Sequence, residues 1–169
     1  MAQPLRMPAP IEEFVFVDDD DIQLEQIQRL VAKTEFVGSL RLFSDSREAL
    51  AYIKKPSRPP IDLLSVDIRM PAMTGIELLR EATREQHDLL DDAIVIVISN
   101  TEDPKDLKAI REMGLIDHYL RKPLKHADLE MVARSIESRR AVRTLRTSIG
   151  PGPDESEIGN PNATHLRLF

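Results

Sequence analysis

The chain of 169 residues contains no cysteine and no tryptophan, and it has only two tyrosines and five phenylalanines. Without cysteine it cannot build a disulfide scaffold or bind zinc through thiolates. No apolar run approaches the roughly 18 residues that a membrane-spanning helix needs. The first ten residues also lack the apolar block of a secretory signal. We therefore expect a cytoplasmic protein of bacterial type without a membrane segment.

Positive charge is also in short supply. The sequence has 23 Lys and Arg against 29 Asp and Glu, which gives a formal net charge of −6. Neutralising nucleic-acid phosphates requires a basic face, so we expect no nucleic-acid partner. The hydrophobic share of 41% and the charged share of 31% are typical of globular proteins. The length suits one domain with tails.

Short apolar runs alternate with segments of helical periodicity along most of the chain. The apolar runs lie at 14–17, 40–43, 61–68, 93–98 and 118–120, and the helical segments lie at about 22–31, 45–53, 75–82, 104–113 and 127–143. This alternation predicts an α/β fold with a parallel sheet and right-handed crossovers. We expect residues 12–146 to form the domain. Residues 1–11 are predicted to be a flexible arm and 147–169 a flexible tail, too short for an output domain.

The stretch from Ile61 to Pro71 is predicted to contain the central strand. Apolar residues dominate 61–68, and prolines bound the run on both sides. Asp67 stands where this strand ends. An unpaired buried charge costs on the order of several kcal/mol, so its carboxylate must be hydrogen-bonded, bound to a metal or exposed in a crevice. Taken alone, Asp67 could equally cap the next helix.

Polar residues also follow the other predicted strands. Asp18 and Asp19 follow the first strand, Ser99 follows the fourth and Lys122 follows the fifth. The carboxyl ends of parallel strands share one edge of a sheet, so these side chains are expected to converge with Asp67. Adjacent carboxylates repel one another, and a divalent cation keeps them ionised. Because the available ligands are oxygens, the expected ion is Mg²⁺.

Each of these residues also has a structural explanation. The acids from Asp18 to Asp21 can form a solvated helix cap. Ser99 can be a strand-end hydroxyl, Lys122 a surface charge and Tyr119 a core residue. These explanations are independent of one another, so the coincidence of all the residues at one edge favours a site.

The same residues give the chain a resemblance to a known family. From about Glu13 to Arg143 it resembles the response-regulator receiver domains of two-component signalling. The motifs that carry the resemblance are Phe14-Val15-Phe16-Val17-Asp18-Asp19, Asp67-Ile68-Arg69-Met70-Pro71 followed by Gly75, Ile98-Ser99, and Tyr119-Leu120-Arg121-Lys122-Pro123. Each is weak alone, but their order and spacing are specific. The resemblance implies a flavodoxin-like (βα)5 fold, a doubly wound parallel sheet with strand order 2-1-3-4-5.

The resemblance also implies a phosphoacceptor site. Asp67 would be the phosphoacceptor and would share a Mg²⁺ ion with Asp19, a direct ligand, and with the backbone carbonyl of Arg69. Asp18 would lie in the outer coordination shell of the Mg²⁺ ion. The phosphoryl donor would be a histidine kinase or a histidine phosphotransfer protein. The chain would be a signalling protein rather than an enzyme, apart from its own phosphorylation and dephosphorylation chemistry.

The resemblance assigns a further set of residues to the phosphoryl group and to a conformational switch. Ser99 and Lys122 would hold the phosphoryl oxygens, and the peptide between Lys122 and Pro123 is commonly cis in the family. When the Ser99 hydroxyl moves toward the phosphoryl group, Tyr119 would turn inward into the space it leaves. Such a two-state element is biased by a local charge.

Three features depart from the family pattern. Ala72 stands where glycine is frequent, Asn100 stands where a small residue is usual, and the stretch 114–119 is about one residue longer than the common spacing. They leave open the width of the mouth of the site. The segments 84–92 and 99–104 resemble stand-alone, single-domain receivers.

Two other functions remain open at this point. A phosphatase of the haloacid-dehalogenase type would use Asp18 as its nucleophile, with Asp18-x-Asp20 as the opening motif, but this gives no role to Asp67 or Met70-Pro71. A receiver that serves as a phosphorylation-independent scaffold is the second alternative. The sequence retains all five residues that the receiver chemistry would use, which argues against that alternative. They are Asp18, Asp19, Asp67, Ser99 and Lys122.

The last predicted helix suggests a surface for self-association. Val142 and Leu145 extend its apolar stripe beyond the length that the sheet can cover, among the arginines Arg139, Arg140, Arg143 and Arg146. The tail ends in Leu166, Leu168 and Phe169. An apolar stripe with a charged rim is a plausible protein contact, so we expect a possible homodimer.

Overall fold

A computed structural model of the chain describes residues 10–100 and 102–149; for residues 146–149 it describes the backbone only. Within these residues five strands alternate with five helices. They are β1 (Ile11–Val17), α1 (Asp21–Val31), β2 (Val37–Phe43), α2 (Ser46–Ile53), β3 (Leu63–Val66), α3 (Gly75–Thr83), β4 (Ile94–Ile98), α4 (Pro104–Met113), β5 (His118–Leu120) and α5 (His126–Ile149).

The five strands form one parallel sheet in the order β2-β1-β3-β4-β5. This confirms the α/β fold with a parallel sheet, and it confirms the strand order that the resemblance implied. Every residue of β3 and β4 is buried, which is the pattern of strands covered by helices on both faces. The carboxyl ends of β1, β3, β4 and β5 therefore lie along one edge of the sheet.

The sheet separates two apolar clusters. On one face, β1 and β3 contribute Val15, Val17, Leu64 and Val66, which pack against α2, α3 and α4. On the other face, residues such as Phe14 pack against α1 and α5. Alternate residues of one strand point to opposite faces, so each central strand contributes to both clusters.

Local sequence determines where several helices begin and end. Asp45 caps α2, with its carboxylate accepting from the Arg47 N–H at 2.8 Å. Asp103 caps α4, whose first residue is Pro104. Gly114 ends α4 in the left-handed region, at φ 64°. These residues account for the ends of the predicted helical segments 45–53 and 104–113.

The ends of the domain differ from the predicted boundaries. Ile11, which the sequence places in the flexible arm, is fully buried and begins β1, where its N–H donates to the Phe36 carbonyl oxygen at 2.7 Å. The last helix continues to Ile149, beyond the predicted end near Arg143 and the domain boundary at 146. Residues 1–9 and 150–169, which hold most of the predicted arm and tail, lie outside the described residues.

No helix within residues 10–100 and 102–149 combines the length and the hydrophobicity needed to cross a membrane. Even α5, with 24 residues, carries a charged side chain in each turn.

Candidate functional site

Asp67 follows β3 directly and lies at the carboxyl edge of the sheet. Its N–H donates to the Val17 carbonyl oxygen at 2.9 Å, which extends the pairing of β3 with β1. The side chain is buried, and its Oδ1 accepts from the Ile68 N–H at 2.8 Å. The backbone therefore fixes both the position of this residue and the orientation of its carboxylate.

Gly75 holds the loop after Asp67 close to the strand. Its N–H donates to the Ile68 carbonyl oxygen at 3.0 Å. A Cβ atom at this position would lie 2.1 Å from the Asp67 carbonyl oxygen and 2.6 Å from Val66 Cγ1. Only glycine permits this approach, so Gly75 positions the backbone of Asp67.

The run of acids after β1 divides into two functions. Asp18 is 1% exposed, and its Oδ1 accepts from the Asp20 N–H at 3.0 Å. Asp20 is the N-cap of α1, and its Oδ1 accepts from the Ile22 N–H at 2.9 Å. Asp19, between them, is exposed. The cap that the structural explanation proposed is present, but it uses Asp20 and leaves Asp18 and Asp19 at the sheet edge.

Lys122 joins the two buried acids. Its Nζ lies 2.7 Å from Asp18 Oδ2 and 3.2 Å from Asp67 Oδ2. The side chain of Lys122 is 13% exposed. The peptide between Lys122 and Pro123 is cis, as the resemblance implied. The structure thus brings residues from three separated motifs within ion-pair distance.

Burial and charge act in opposite directions on these groups. Burial raises the pKa of Asp18 and the pKa of Asp67, although Lys122 partly offsets the increase in both. Burial by itself would lower the pKa of Lys122, but the hydrogen bond and charge of Asp18, together with Asp67, outweigh it and the pKa is raised. Lys122 therefore stays cationic between two carboxylates.

The three carboxylates fit a divalent cation. Oxygens of Asp18, Asp19 and Asp67 all lie within 4.8 Å of one another. Asp18 Oδ2 is buried and lies 2.7 Å from Lys122 Nζ, so this oxygen already has one cationic neighbour. Carboxylate oxygens without nitrogen or sulfur ligands suit Mg²⁺. The donor set is therefore consistent with the predicted ion.

Arg69 lies on the rim of the same site. With Asp19 it lines an open cavity of about 580 Å³, to which Asp106 of α4 also contributes. Its exposed guanidinium extends toward α4 rather than toward Asp67. The role of its backbone carbonyl as a metal ligand stays a prediction.

Ser99 and Tyr119 lie next to each other at the ends of β4 and β5. Ser99 is 4% exposed, and its N–H donates to the Leu120 carbonyl oxygen at 3.0 Å. The Tyr119 hydroxyl donates to the Ser99 carbonyl oxygen at 3.2 Å. The Tyr119 ring is buried in the cluster shared with α4, so it already occupies an inward position in this structure.

Two arginine side chains near the site were not predicted to have a role. The Arg69 guanidinium contacts Asp103 and Asp106, which lie 34 and 37 positions away in the sequence. Arg121 contacts Glu102, 19 positions away. Charges at such separations form no sequence pattern, so only the fold could reveal these pairs.

The chain is similar to a transcriptional regulatory protein from a bacterium and to a stress response regulator protein from a yeast. Transcriptional regulatory protein HptR of Staphylococcus aureus (strain N315) is 32% identical over 132 residues, which are 78% of this chain and 46% of that protein. Stress response regulator protein 1 of Debaryomyces hansenii is 32% identical over 114 residues, 68% of this chain and 45% of that protein. The chain thus spans about half the length of the curated relatives it matches.

Known structures share the fold, and a family profile covers most of it. The crystal structure of a two-component response regulator from Cytophaga hutchinsonii has a TM-score of 0.65 at 23% identity, covering 76% of this chain and 98% of that one. The profile of the response regulator receiver domain matches residues 14–134, from β1 into α5. The chain therefore belongs to the response regulator receiver domain family.

Proposed function

We propose that this receiver domain accepts a phosphoryl group on Asp67 from a phosphohistidine, in a Mg²⁺-dependent reaction, and signals through a conformational switch. The donor is a histidine kinase or a histidine phosphotransfer protein. The observation that carries the proposal is the contact of Lys122 Nζ with both Asp18 Oδ2 at 2.7 Å and Asp67 Oδ2 at 3.2 Å. Single-domain organisation and a bacterial cytoplasm stay predictions, since one relative is from yeast and the relatives are about twice as long.

In the proposed reaction an oxygen of the Asp67 carboxylate attacks phosphorus. A P–O bond forms while the P–N bond of the phosphohistidine breaks, and the imidazole retains the electron pair of that bond. The attacking carboxylate and the phosphoryl oxygens are all negative, so their repulsion is the main barrier for the site to reduce. Lys122 lies where its ammonium can neutralise part of that charge, and the Ser99 hydroxyl would hold a further phosphoryl oxygen.

The acids would hold the metal. Asp19, Asp67 and the Arg69 carbonyl are the proposed ligands, and Asp18 is the proposed acid of the outer shell. When bound, Mg²⁺ supplies positive charge to the phosphoryl oxygens and orients them for in-line attack. Oxygens of Asp18, Asp19 and Asp67 all lie within 4.8 Å of one another, which supports a divalent cation between them.

Ser99 and Tyr119 are the proposed switch. Phosphorylation would attract the Ser99 hydroxyl and alter the surroundings of its carbonyl oxygen, which accepts from Tyr119 at 3.2 Å. Tyr119 packs in the same apolar cluster as Ile110 of α4, so a shift at Ser99 would affect that helix. Dimerisation through the exposed Val142 and Leu145 of α5 also stays a prediction.

The chain belongs to the receiver family, and the haloacid-dehalogenase alternative gives no role to Asp67 or to its contact with Lys122, so we do not propose it. The scaffold alternative differs from the proposal in one property, which is the absence of phosphoryl transfer. A phosphorylation assay therefore distinguishes the two.

We predict that Asp67→Asn reduces labelling by a radioactive phosphodonor, such as acetyl phosphate, to background, because the amide is not a nucleophile for phosphorus. The parent should form an alkali-labile acyl phosphate only when Mg²⁺ is present. Asp21→Asn is the matched control, since Asp21 is an exposed acid in the first turn of α1 and should retain parent labelling.

Undiminished labelling of the Asp67→Asn variant would disprove the assignment. A parent protein that takes up no label from acetyl phosphate or from any histidine kinase would instead support the scaffold function.

A further inference from the structure

Two arginines contact the first turn of α4 and the residues just before it, one from each neighbouring loop. Arg69 Nη2 lies 3.1 Å from Asp106 Oδ2 and 3.4 Å from Asp103 Oδ2. On the other side, Arg121 Nη2 lies 3.0 Å from Glu102 Oε1. We call these five residues the arginine clamp. It joins the beginning of α4 to two neighbouring loops.

Each arginine is attached to a loop that carries a site residue. Arg69 is two residues after Asp67, and Arg121 directly precedes Lys122. Glu102, the first acid that an arginine contacts, lies three residues after Ser99. The clamp therefore connects the beginning of α4 with three groups that face the proposed phosphoryl position.

The contact with Asp103 affects the helix directly. Asp103 is the N-cap of α4, and its Oδ1 accepts from the Lys105 N–H at 2.9 Å while its Oδ2 faces Arg69. One carboxylate thus supports the first turn of the helix and pairs with the active-site loop. Movement of Arg69 would leave the cap in place but remove its connection to that loop.

We propose that Arg69 and Arg121 are positioning residues that hold the beginning of α4 against the site in the unphosphorylated protein and release it when Asp67 is phosphorylated. The release of α4 on phosphorylation rests on the proposed function. The restraint of α4 in the unphosphorylated protein does not depend on phosphorylation.

Charge competition gives the reason for release. Phosphorylation replaces the single charge of the Asp67 carboxylate with an acyl phosphate that carries about two negative charges, so the site gains about one negative charge. Arg69 lines the cavity with Asp19 and Asp106, and its guanidinium can bind a phosphoryl group more strongly than it binds partly exposed carboxylates. The Arg69 side chain is 64% exposed, and those of Asp103 and Asp106 are 40% and 24% exposed, so water screens and weakens both ion pairs.

The first test measures amide hydrogen exchange of residues 104–113 in the unphosphorylated protein. The test variants are the double variant Asp103→Asn with Asp106→Asn, and the single variant Glu102→Gln. Asparagine retains the ability to cap a helix, so the double variant removes charge with little effect on the cap. We expect exchange in α4 to be faster by up to about fivefold, the factor that exposed ion pairs of this kind support.

Glu112→Gln is the matched control. Glu112 is an exposed acid of the same helix, 3.6 Å from Lys108 and outside the clamp. It should leave the exchange of the first turns of α4 at the parent rate. The charge exchange of Glu102→Arg with Arg121→Glu should restore the restraint that Glu102→Gln weakens, which mere loss of packing would not do.

The second test measures the affinity for beryllofluoride, a phosphoryl mimic, in the presence of Mg²⁺. If binding breaks the clamp, variants in which it is already weak should bind the mimic more tightly, by the same factor as the change in exchange. Parent exchange rates in both clamp variants would overturn the restraint. Faster exchange with unchanged affinity would overturn the release. If the parent itself does not bind beryllofluoride, the proposed function fails, and the exchange data alone decide whether the clamp restrains α4.

Discussion

At the scale of single residues, the loop after Asp67 contains one residue, Ala72, whose backbone conformation is unfavourable. Ala72 has a φ of 65°, in the left-handed region. In that region the Cβ atom approaches the following carbonyl oxygen, which costs roughly 1–2 kcal/mol for a residue other than glycine. Ala72 is also one of the three features that depart from the pattern of the family, in which glycine is frequent at this position.

We predict that Ala72→Gly raises the free energy of unfolding by up to about 1 kcal/mol. The relief of backbone strain is partly offset by the larger conformational freedom of glycine in the unfolded chain. Ala51→Gly is the control, because Ala51 is exposed within α2 and the same substitution there should destabilise by about 1 kcal/mol. Urea unfolding of the three proteins measures the differences. Destabilisation by Ala72→Gly as large as that by Ala51→Gly would contradict the strain.

The residues of the site were predictable where they terminate strands. Asp18, Asp19, Asp67, Ser99 and Lys122 follow apolar runs, and the parallel sheet brings those run ends to one edge. The ion pairs of Lys122 with Asp18 and Asp67 followed from the same topology. The contacts of Arg69 and Arg121 were not predictable, because they depend on how two loops approach α4 rather than on periodicity.

At the scale of elements, an arginine connects α5 to the amino-terminal edge of the sheet. Arg139 donates to the carbonyl oxygen of Ala93 and to the carboxylate of Asp117. Asp117 also accepts from the Val95 N–H at 2.8 Å. The side chains of Arg139 and Asp117 are 23% and 15% exposed. This partly buried network joins α5 to the beginning of β4 and β5.

We predict that Arg139→Met lowers the free energy of unfolding by about 2 kcal/mol. Methionine retains the length of the side chain but removes the donor that Arg139 supplies to Asp117 Oδ1 and to the Ala93 carbonyl oxygen, while Asp117 Oδ2 still accepts from the Val95 N–H. Arg143→Met is the matched control, because Arg143 pairs with Asp92 at 2.5 Å on the surface, where both side chains are about two-thirds exposed. Its effect should remain within about 0.5 kcal/mol. Equal losses for the two variants, measured by chemical denaturation, would exclude the special role of Arg139.

The same network explains why the length of α5 was underestimated. The buried part of the apolar stripe ends at Ile136, because Val142 and Leu145 are exposed. The next residues that reach the sheet are Arg139 and Arg140. These arginines bind acids at the starts of strands, Asp117 and Asp62, so polar contacts continue the packing where apolar contacts end. Periodicity predicted the existence of all ten elements, but not the ends that depend on such distant partners.

At the scale of the whole molecule, one half-buried histidine makes stability depend on pH. Burial lowers the pKa of His118 below its usual value near 6.5, and the charge of Arg139 lowers it further, while Asp117 acts in the opposite direction. The folded protein therefore binds this proton more weakly than the unfolded chain does. Above the unfolded pKa the contribution of His118 to stability is fully present. It is lost as the pH falls from the unfolded pKa toward the lower, folded pKa.

We predict that His118→Gln makes the free energy of unfolding less sensitive to pH between about 7.5 and 5.5, the range around the unfolded pKa of histidine. The parent should lose more stability than the variant as the pH falls through this range. His87→Gln, in the exposed segment before β4, controls for the loss of an imidazole elsewhere. Denaturant unfolding at several pH values measures this. Parallel pH profiles for the parent and His118→Gln would exclude the effect.

The two apolar clusters on opposite faces of the sheet have a consequence for how such a protein can diverge. Tyr119 and Ile110 belong to the cluster with α2, α3 and α4, whereas α1 and α5 pack in the other. Substitutions in the apolar cluster beneath α1 and α5 change the free energy of unfolding but leave the side chains that pack with Tyr119 and Ile110 unchanged. A lineage could therefore gain or lose thermal tolerance through one face while the other preserves the response to its signal.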